Sequence, residues 1–237
     1  MNEQLIEILL TDRTTKAHIL WANAEFGATE IKLSDVDKIQ PRYMKAREQQ
    51  KRRTRERAEI FTPPEVCKIQ NDLVADFDKR DWQTFVDEKF LEITCGEAPY
   101  LVGRYNAVTG EAIDLAERTG LLDRKLRVIG EYATTVGHWL ELATRAVKSV
   151  YGYDLQGDNL FLARRNVFET VKDFFRAQFN REPPEDFLRE VAEIVSWNLW
   201  QMDGRTFTVP HVKLKYARIK DWATGDEIKF FELAQGW

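Results

Sequence analysis

The residues best placed for chemistry are gathered in one short string, Leu91-Glu92-Ile93-Thr94-Cys95-Gly96-Glu97-Ala98-Pro99-Tyr100-Leu101. A short apolar run leads to an acidic residue, then to Gly four positions on, then to a second small residue ahead of a helix start. That order describes a strand, a turn and a helix whose backbone a ligand approaches closely. Gly96 supplies freedom at positive φ, Ala98 keeps side-chain bulk away, and Glu92 near the strand end accepts a hydrogen bond from a ligand amine or hydroxyl. The plain alternative is an ordinary turn, because short strings of this kind are common. A second chemical feature is a run of cations: Arg42, Lys45, Arg47, Lys51, Arg52, Arg53, Arg55 and Arg57 stand against only Glu48 and Glu56. Good helix formers dominate it and few apolar residues anchor a face. It is either a solvated helix or a phosphate-contacting arm, with Arg52, Arg53 and Arg55 as candidate nucleic-acid contacts.

The elements that must position these groups follow from length and pattern. A chain of 237 residues, 43% hydrophobic and 12% aromatic, holds one sizeable core plus a smaller appendage. No apolar run approaches a membrane span, and Met1-Asn2-Glu3-Gln4 lacks the basic start of a secretory signal, so the expectation is a cytoplasmic protein without a membrane partner. Cys67 and Cys95 fit a reducing compartment, and with His18, His138 and His211 scattered no metal site is expected. The net charge of −4 restricts any phosphate contact to a local patch.

In chain order, residues 4–10 are an apolar stretch, and 17–22 read as a strand of a small α/β preface. Pro64 opens a helix over 65–77, with Val66, Ile69, Leu73 and Val74 at helical spacing. Trp82, Phe85 and Phe90 lead into the first strand. Residues 104–130 look like an insertion, either a lid or a cover for the sheet edge, because a βαβ unit needs only about 30 residues. A helix over 131–150, a strand over 151–156, a helix over 159–179 and a helix over 185–193 follow. Residues 194–202 then read as a strand before an Asp203-Gly204 turn. Trp197 and Trp200 lie either on the sheet or against a ligand ring. Strands over 213–220 and 227–233 close the chain.

The same order of signals resembles the adenine-N6 DNA methyltransferases, and most nearly the short restriction-modification M-subunit proteins, over roughly residues 40 to 230. Leu91–Leu101 resembles their S-adenosylmethionine turn, with Glu92 and Gly96 in place, Cys95 between them and Ala98 for the second glycine. Ala58-Glu59-Ile60-Phe61-Thr62-Pro63 looks like the stretch that caps the methionine end of that cofactor, through Phe61, Thr62 and Pro63. The resemblance implies that Asp154, followed by Leu155, ends a second strand and holds the ribose hydroxyls, which suits a carboxylate that accepts twice. It implies that Asp203 meets the adenine amino group; the alternative is a plain Asp-Gly turn. The family's Asn/Asp-Pro-Pro-Tyr string is missing, and Asp221-Trp222 stand where it belongs, an acceptor and an aromatic without the prolines.

The expected architecture is thus α/β, a Rossmann-like methyltransferase fold with a truncated sheet over residues 58–237 and a small appendage with a basic arm over 1–57. The expected function is that of an S-adenosylmethionine-binding methyltransferase-like protein acting on DNA in a restriction-modification system. The alternatives are a non-catalytic cofactor- or DNA-binding subunit completed by a partner subunit or a homo-oligomer contact, and a turn that binds a different nucleotide.

Overall fold

Three short parallel strands carry the fold: β1 (Phe90–Glu92), β2 (Val150–Asp154) and β3 (Leu199–Gln201), hydrogen-bonded in the order β1-β2-β3. The computed structural model describes residues 1–23, 26–57, 59–75, 81–212 and 214–235. Ala58, Phe77, Lys213 and Trp237, on which sequence boundaries fell, lie outside them. Phe90 pairs with Val150, and Gly152 with Leu199, so all three strands end on one side. Parallel neighbours require crossovers. Helices α5 (Leu121–Tyr132) and α6 (Val136–Lys148) join β1 to β2, and α7 (Gly157–Phe179) and α8 (Glu185–Asn198) join β2 to β3.

Successive strand residues point to opposite faces, and two cores follow. Val150 and Leu199 enter the large core with α5 to α8. Tyr153 and Trp200 face a smaller one with Met202, Ala217 and Ile219, closed by the antiparallel hairpin β4 (Arg218–Lys220) and β5 (Glu227–Lys229) and by the short α9 (Phe230–Ala234). The architecture is mixed α/β, as the sequence implied. No helix among the described residues is long and apolar enough to cross a membrane.

Three expectations change. Residues 1–57 are no separate appendage: Leu9 and Leu10 of α1 (Glu3–Leu10), with Ile19, Trp21 and Ile31, are buried in the large core. Residues 17–22 form isolated bridges, Thr11 with His18 and Leu20 with Glu30, and no strand. Residues 194–198 continue α8, because Phe187, Val191, Ile194, Val195 and Asn198 keep a helical period into the core; only Leu199–Gln201 are extended.

A buried cation ties the ends of this fold together. The Arg164 guanidinium on α7 donates to four main-chain carbonyls, those of Leu9, Thr11, Ser196 and Leu199, at 2.6–3.0 Å. No carboxylate among the described residues bonds it, and burial lowers its pKa to about 9.

Candidate functional site

The turn after β1 is held by the end of β2. Cys95 N–H donates to the Tyr153 carbonyl at 2.8 Å, carrying the strand pairing one step further. Gly96 N–H then donates to Asp154 Oδ2 at 2.9 Å, while Asp154 Oδ1 accepts from Gln156 N–H at 2.7 Å. Gly96 sits at φ +55°, and a Cβ there would rest 3.6 Å from the Phe61 ring. Thr94 and Ala98 also lie in the left-handed region, at φ 50° and 62°. Each costs a non-glycine residue about 1–2 kcal/mol, so this turn carries backbone strain, as do other non-glycine positions such as Phe207 and His211. The cap and the turn therefore meet: Phe61 lies on Gly96, with the Arg42 guanidinium 5.1 Å from its ring centre. Cys95 and Ala98 are buried beneath.

Glu92 acts as a strut in this structure. Its oxygens accept from Tyr100 N–H at 3.3 Å and Leu101 N–H at 3.2 Å. Burial lifts its pKa to about 8, against the pull of those two donors and with a further push from Asp154. Burial likewise lifts Asp154 to about 6; the two N–H donors oppose this, and the neighbouring Glu59 and Asp158 carboxylates add to it. Asp203 follows β3, and Met202 N–H donates to the Asp154 carbonyl at 3.0 Å, so the two acidic positions sit on adjacent strand ends. Asp203 Oδ1 accepts from Arg205 N–H at 2.8 Å, as an Asp-Gly turn requires. The Leu155 carbonyl accepts from Gln201 Nε2 at 2.9 Å. The Thr62 carbonyl accepts from Cys67 Sγ as Pro63 leads into α3 (Pro64–Val74).

Beside Asp154 lies a buried polar network that the sequence reading missed. Asp158, in the first turn of α7, accepts from Lys45 Nζ at 3.2 Å and from Arg53 at 2.8 and 3.0 Å. Glu59 Oε2 accepts from Arg53 Nε at 2.7 Å, Gln156 Nε2 at 2.9 Å and Asn159 Nδ2 at 3.0 Å. Among the described residues Glu59 Oε1 and Gln156 Oε1 are buried with no hydrogen-bond partner, a costly state for any polar atom. Two signals pointed here: an acid directly after the basic run, and an acid in the first turn of a helix.

The basic arm is the helix α2 (Arg47–Arg57). Arg53 is buried in the network and does not reach solvent, which removes it as a phosphate contact. Arg52 also has a partner, whereas Arg55 is exposed. Arg47, Lys51 and Arg55, four residues apart, share one stripe and line a groove with Arg42, Gln50 and Thr54.

Asp221-Trp222 falls at the wrong end of the sheet to meet these groups. Trp222 Nε1 donates to Asn198 Oδ1 at 2.7 Å, and Asn198 Nδ2 donates to the carbonyls of Val147 and Val150 at 3.0 Å. This is the amino end of β2. Its five residues, rising about 3.3 Å each, separate it from Asp154 by roughly 13 Å. The pair turns a hairpin, with Asp221 Oδ1 capping Ala223 N–H at 2.9 Å. Trp197 and Trp200 are both buried, Trp197 on α8 and Trp200 in the smaller core. Residues 104–120 dock on α7, where Asp173 accepts from Arg104 and Arg118 and Asn166 donates to the Tyr105 hydroxyl. Residues 121–130 are part of α5.

Comparison with known proteins returns no matching family model, no matching curated protein and no matching solved structure.

Proposed function

We propose that the chain binds the nucleoside end of S-adenosylmethionine at the carboxyl ends of β1, β2 and β3, and that it serves as a cofactor- and DNA-binding subunit completed by a partner. The carrying observation is that Glu92, Asp154 and Asp203 lie at or just past the ends of three adjacent parallel strands, where open α/β sheets place ligands. The fold is then read as the first half of a Rossmann-like methyltransferase sheet.

The residues fit a nucleoside. Asp154 has an open lone pair on each oxygen for vicinal hydroxyls. Glu59 Oε1 and Gln156 Oε1, buried and without donors among the described residues, suit the hydroxyl or amino hydrogens such a ligand brings. Phe61 supplies an apolar cover over the turn. When bound, the cofactor supplies an electrophilic methyl group; the chain's own groups bind and orient it. Asp221-Trp222 is too remote to present an amino group there, which supports the non-catalytic reading over that of a complete methyltransferase. The Arg47, Lys51 and Arg55 stripe supports a DNA-facing surface next to the cap.

Calorimetric titration with S-adenosylmethionine, S-adenosylhomocysteine, NAD and ATP tests the proposal. The expected result is binding of the first two. Asp154→Ala should weaken it by about 1.5–3 kcal/mol for each charge-assisted hydrogen bond lost. Preference for NAD or ATP, or no binding at all, refutes the assignment. Methylation of mixed-sequence DNA by the purified chain should be weak or absent, and robust activity would overturn the partner-dependent reading.

A further inference from the structure

We propose that the outer edge of β1 is the docking site for an extended segment of the partner chain, added to the sheet as a further strand. This rests on the partner-completed reading above and names the contact the partner makes. Phe90 N–H donates to the Ser149 carbonyl at 2.9 Å, and Phe90 and Glu92 lie in register with Val150 and Gly152, so these two residues commit their main-chain groups to β2. Leu91, between them, turns its N–H and C=O to the outer side, as alternate residues of a parallel strand do. Among the described residues nothing donates to or accepts from them, and β1 pairs on one side only. The opposite edge of the sheet is closed. There the Leu199 carbonyl of β3 accepts from Arg164 Nε at 2.8 Å, and the Gln201 side-chain amide holds both the N–H and the C=O of Leu20 at 2.7 Å.

The open edge runs along a groove of about 390 Å³, lined by Gln70 and Val74 of α3, by Phe90, Leu91 and Ile93, and by Leu121 of α5. Val74 and Ile93 are exposed by 53% and 64%, so apolar surface flanks the unpaired main chain. An added strand supplies both things this groove lacks. Its main chain pairs with Leu91, and its alternate side chains, apolar where they meet Val74 and Ile93, fill the groove. A partner helix would cover the apolar groups, but its own N–H and C=O groups are bonded internally and would leave Leu91 unpaired. Lys89, exposed just before the strand, has no carboxylate partner among the described residues. A charge at a sheet edge discourages indiscriminate pairing, and here it admits a strand that carries an Asp or Glu at that end.

Panning a phage-displayed library of random dodecapeptides against the full chain, followed by fluorescence-anisotropy titration of the selected peptides, tests the site. Those peptides are expected to alternate apolar and polar residues and to carry an acidic residue near one end. N-methylation of one alternate set of their residues should weaken binding about tenfold for each hydrogen bond lost, and methylation of the other set should not. Val74→Asp should weaken binding by about tenfold or more, with an unchanged circular dichroism spectrum. Lys89→Glu should weaken binding as well, and exchanging the peptide's acid for Lys should restore it. No selected peptide, peptides without the alternation, or binding that Val74→Asp leaves unchanged overturns the proposal. So does concentration-dependent dimerisation that Val74→Asp abolishes, which would assign the edge to a second copy. Calorimetry with S-adenosylmethionine separates the two readings: cofactor bound without peptide refutes the strand site alone, and peptide bound without cofactor refutes the cofactor site alone.

Discussion

Replacing Arg53 with Gln should destabilise the protein severely, although Arg53 lies in the middle of an otherwise solvated, highly charged helix. Its guanidinium donates to Glu59 at 2.7 Å, to Asp158 at 2.8 and 3.0 Å and to Asn159 at 3.2 Å. The ionic side chains involved are only 4–7% exposed. Burial alone would lift the pKa of Asp158, yet the Lys45 ammonium and the Arg53 guanidinium hold it below the usual carboxylate range. Without Arg53, Asp158 keeps the Lys45 ammonium and the Asn159 N–H, and Glu59 keeps two neutral amides. Removing one member of a buried ion pair costs about 3–5 kcal/mol. At about 2–4 °C per kcal/mol for a chain of this size, the melting temperature should fall by roughly 6–20 °C. Arg55→Gln, two residues away and exposed by 80%, should stay within about 0.5 kcal/mol of the parent. Urea denaturation of both variants beside the parent measures the difference, with unchanged m-values as the check on two-state behaviour. A loss below about 1 kcal/mol for Arg53→Gln would place the pair among ordinary surface bridges. It would also refute the reading that α2 is pinned to the core through this residue.

Further outcomes follow from the same geometry. Replacing Arg47, Lys51 and Arg55 together with Gln should flatten the salt dependence of DNA binding by up to about three counterions; an unchanged slope removes the stripe as a phosphate contact. Folded Glu92 keeps its proton up to about pH 8, whereas the unfolded chain releases it near the ordinary carboxylate value. The folded state therefore binds the extra proton in between, and stability from this group falls as pH rises through that window. The stability advantage of the parent over Glu92→Gln should shrink across it, and a pH-independent difference would mean that Glu92 is ionised throughout. Asp221→Ala should leave S-adenosylmethionine affinity unchanged in calorimetry, because the hairpin lies at the far end of β2; a loss would place Asp221 in the site after all.

The elements near the site were legible because their signals are local. Gly96 and Ala98 mark the turn, Pro63 and Pro64 open α3, and the apolar spacing of α6 and α7 carries their direction. The failures share a cause, which is that the deciding partner is distant in sequence. A run of arginines reads as solvated until Asp158, 105 residues on, is seen to bury one of them. Residues 194–198 carry β-branched side chains that suit a strand, but the face they share with Phe187 and Val191 keeps them helical. Asp221-Trp222 matches the family motif only in its order along the chain, and nothing in its own residues tells which end of the sheet a hairpin will cover.

Arg164 also sets an order of events in time. Leu9 and Thr11 leave the ribosome early, yet the cation that gathers their carbonyls also holds Ser196 and Leu199. At about 5–20 residues per second, roughly 10–40 s pass between synthesis of the first pair and the second. During that interval Leu9 and Leu10 lack the neighbours from α8 that bury them, and they are exposed apolar surface on a nascent chain. The first helix to be made is thus among the last to be seated, and contacts of such long range slow folding. A chain released before Leu199 would keep its amino-terminal apolar residues uncovered, which marks it for chaperones and proteases.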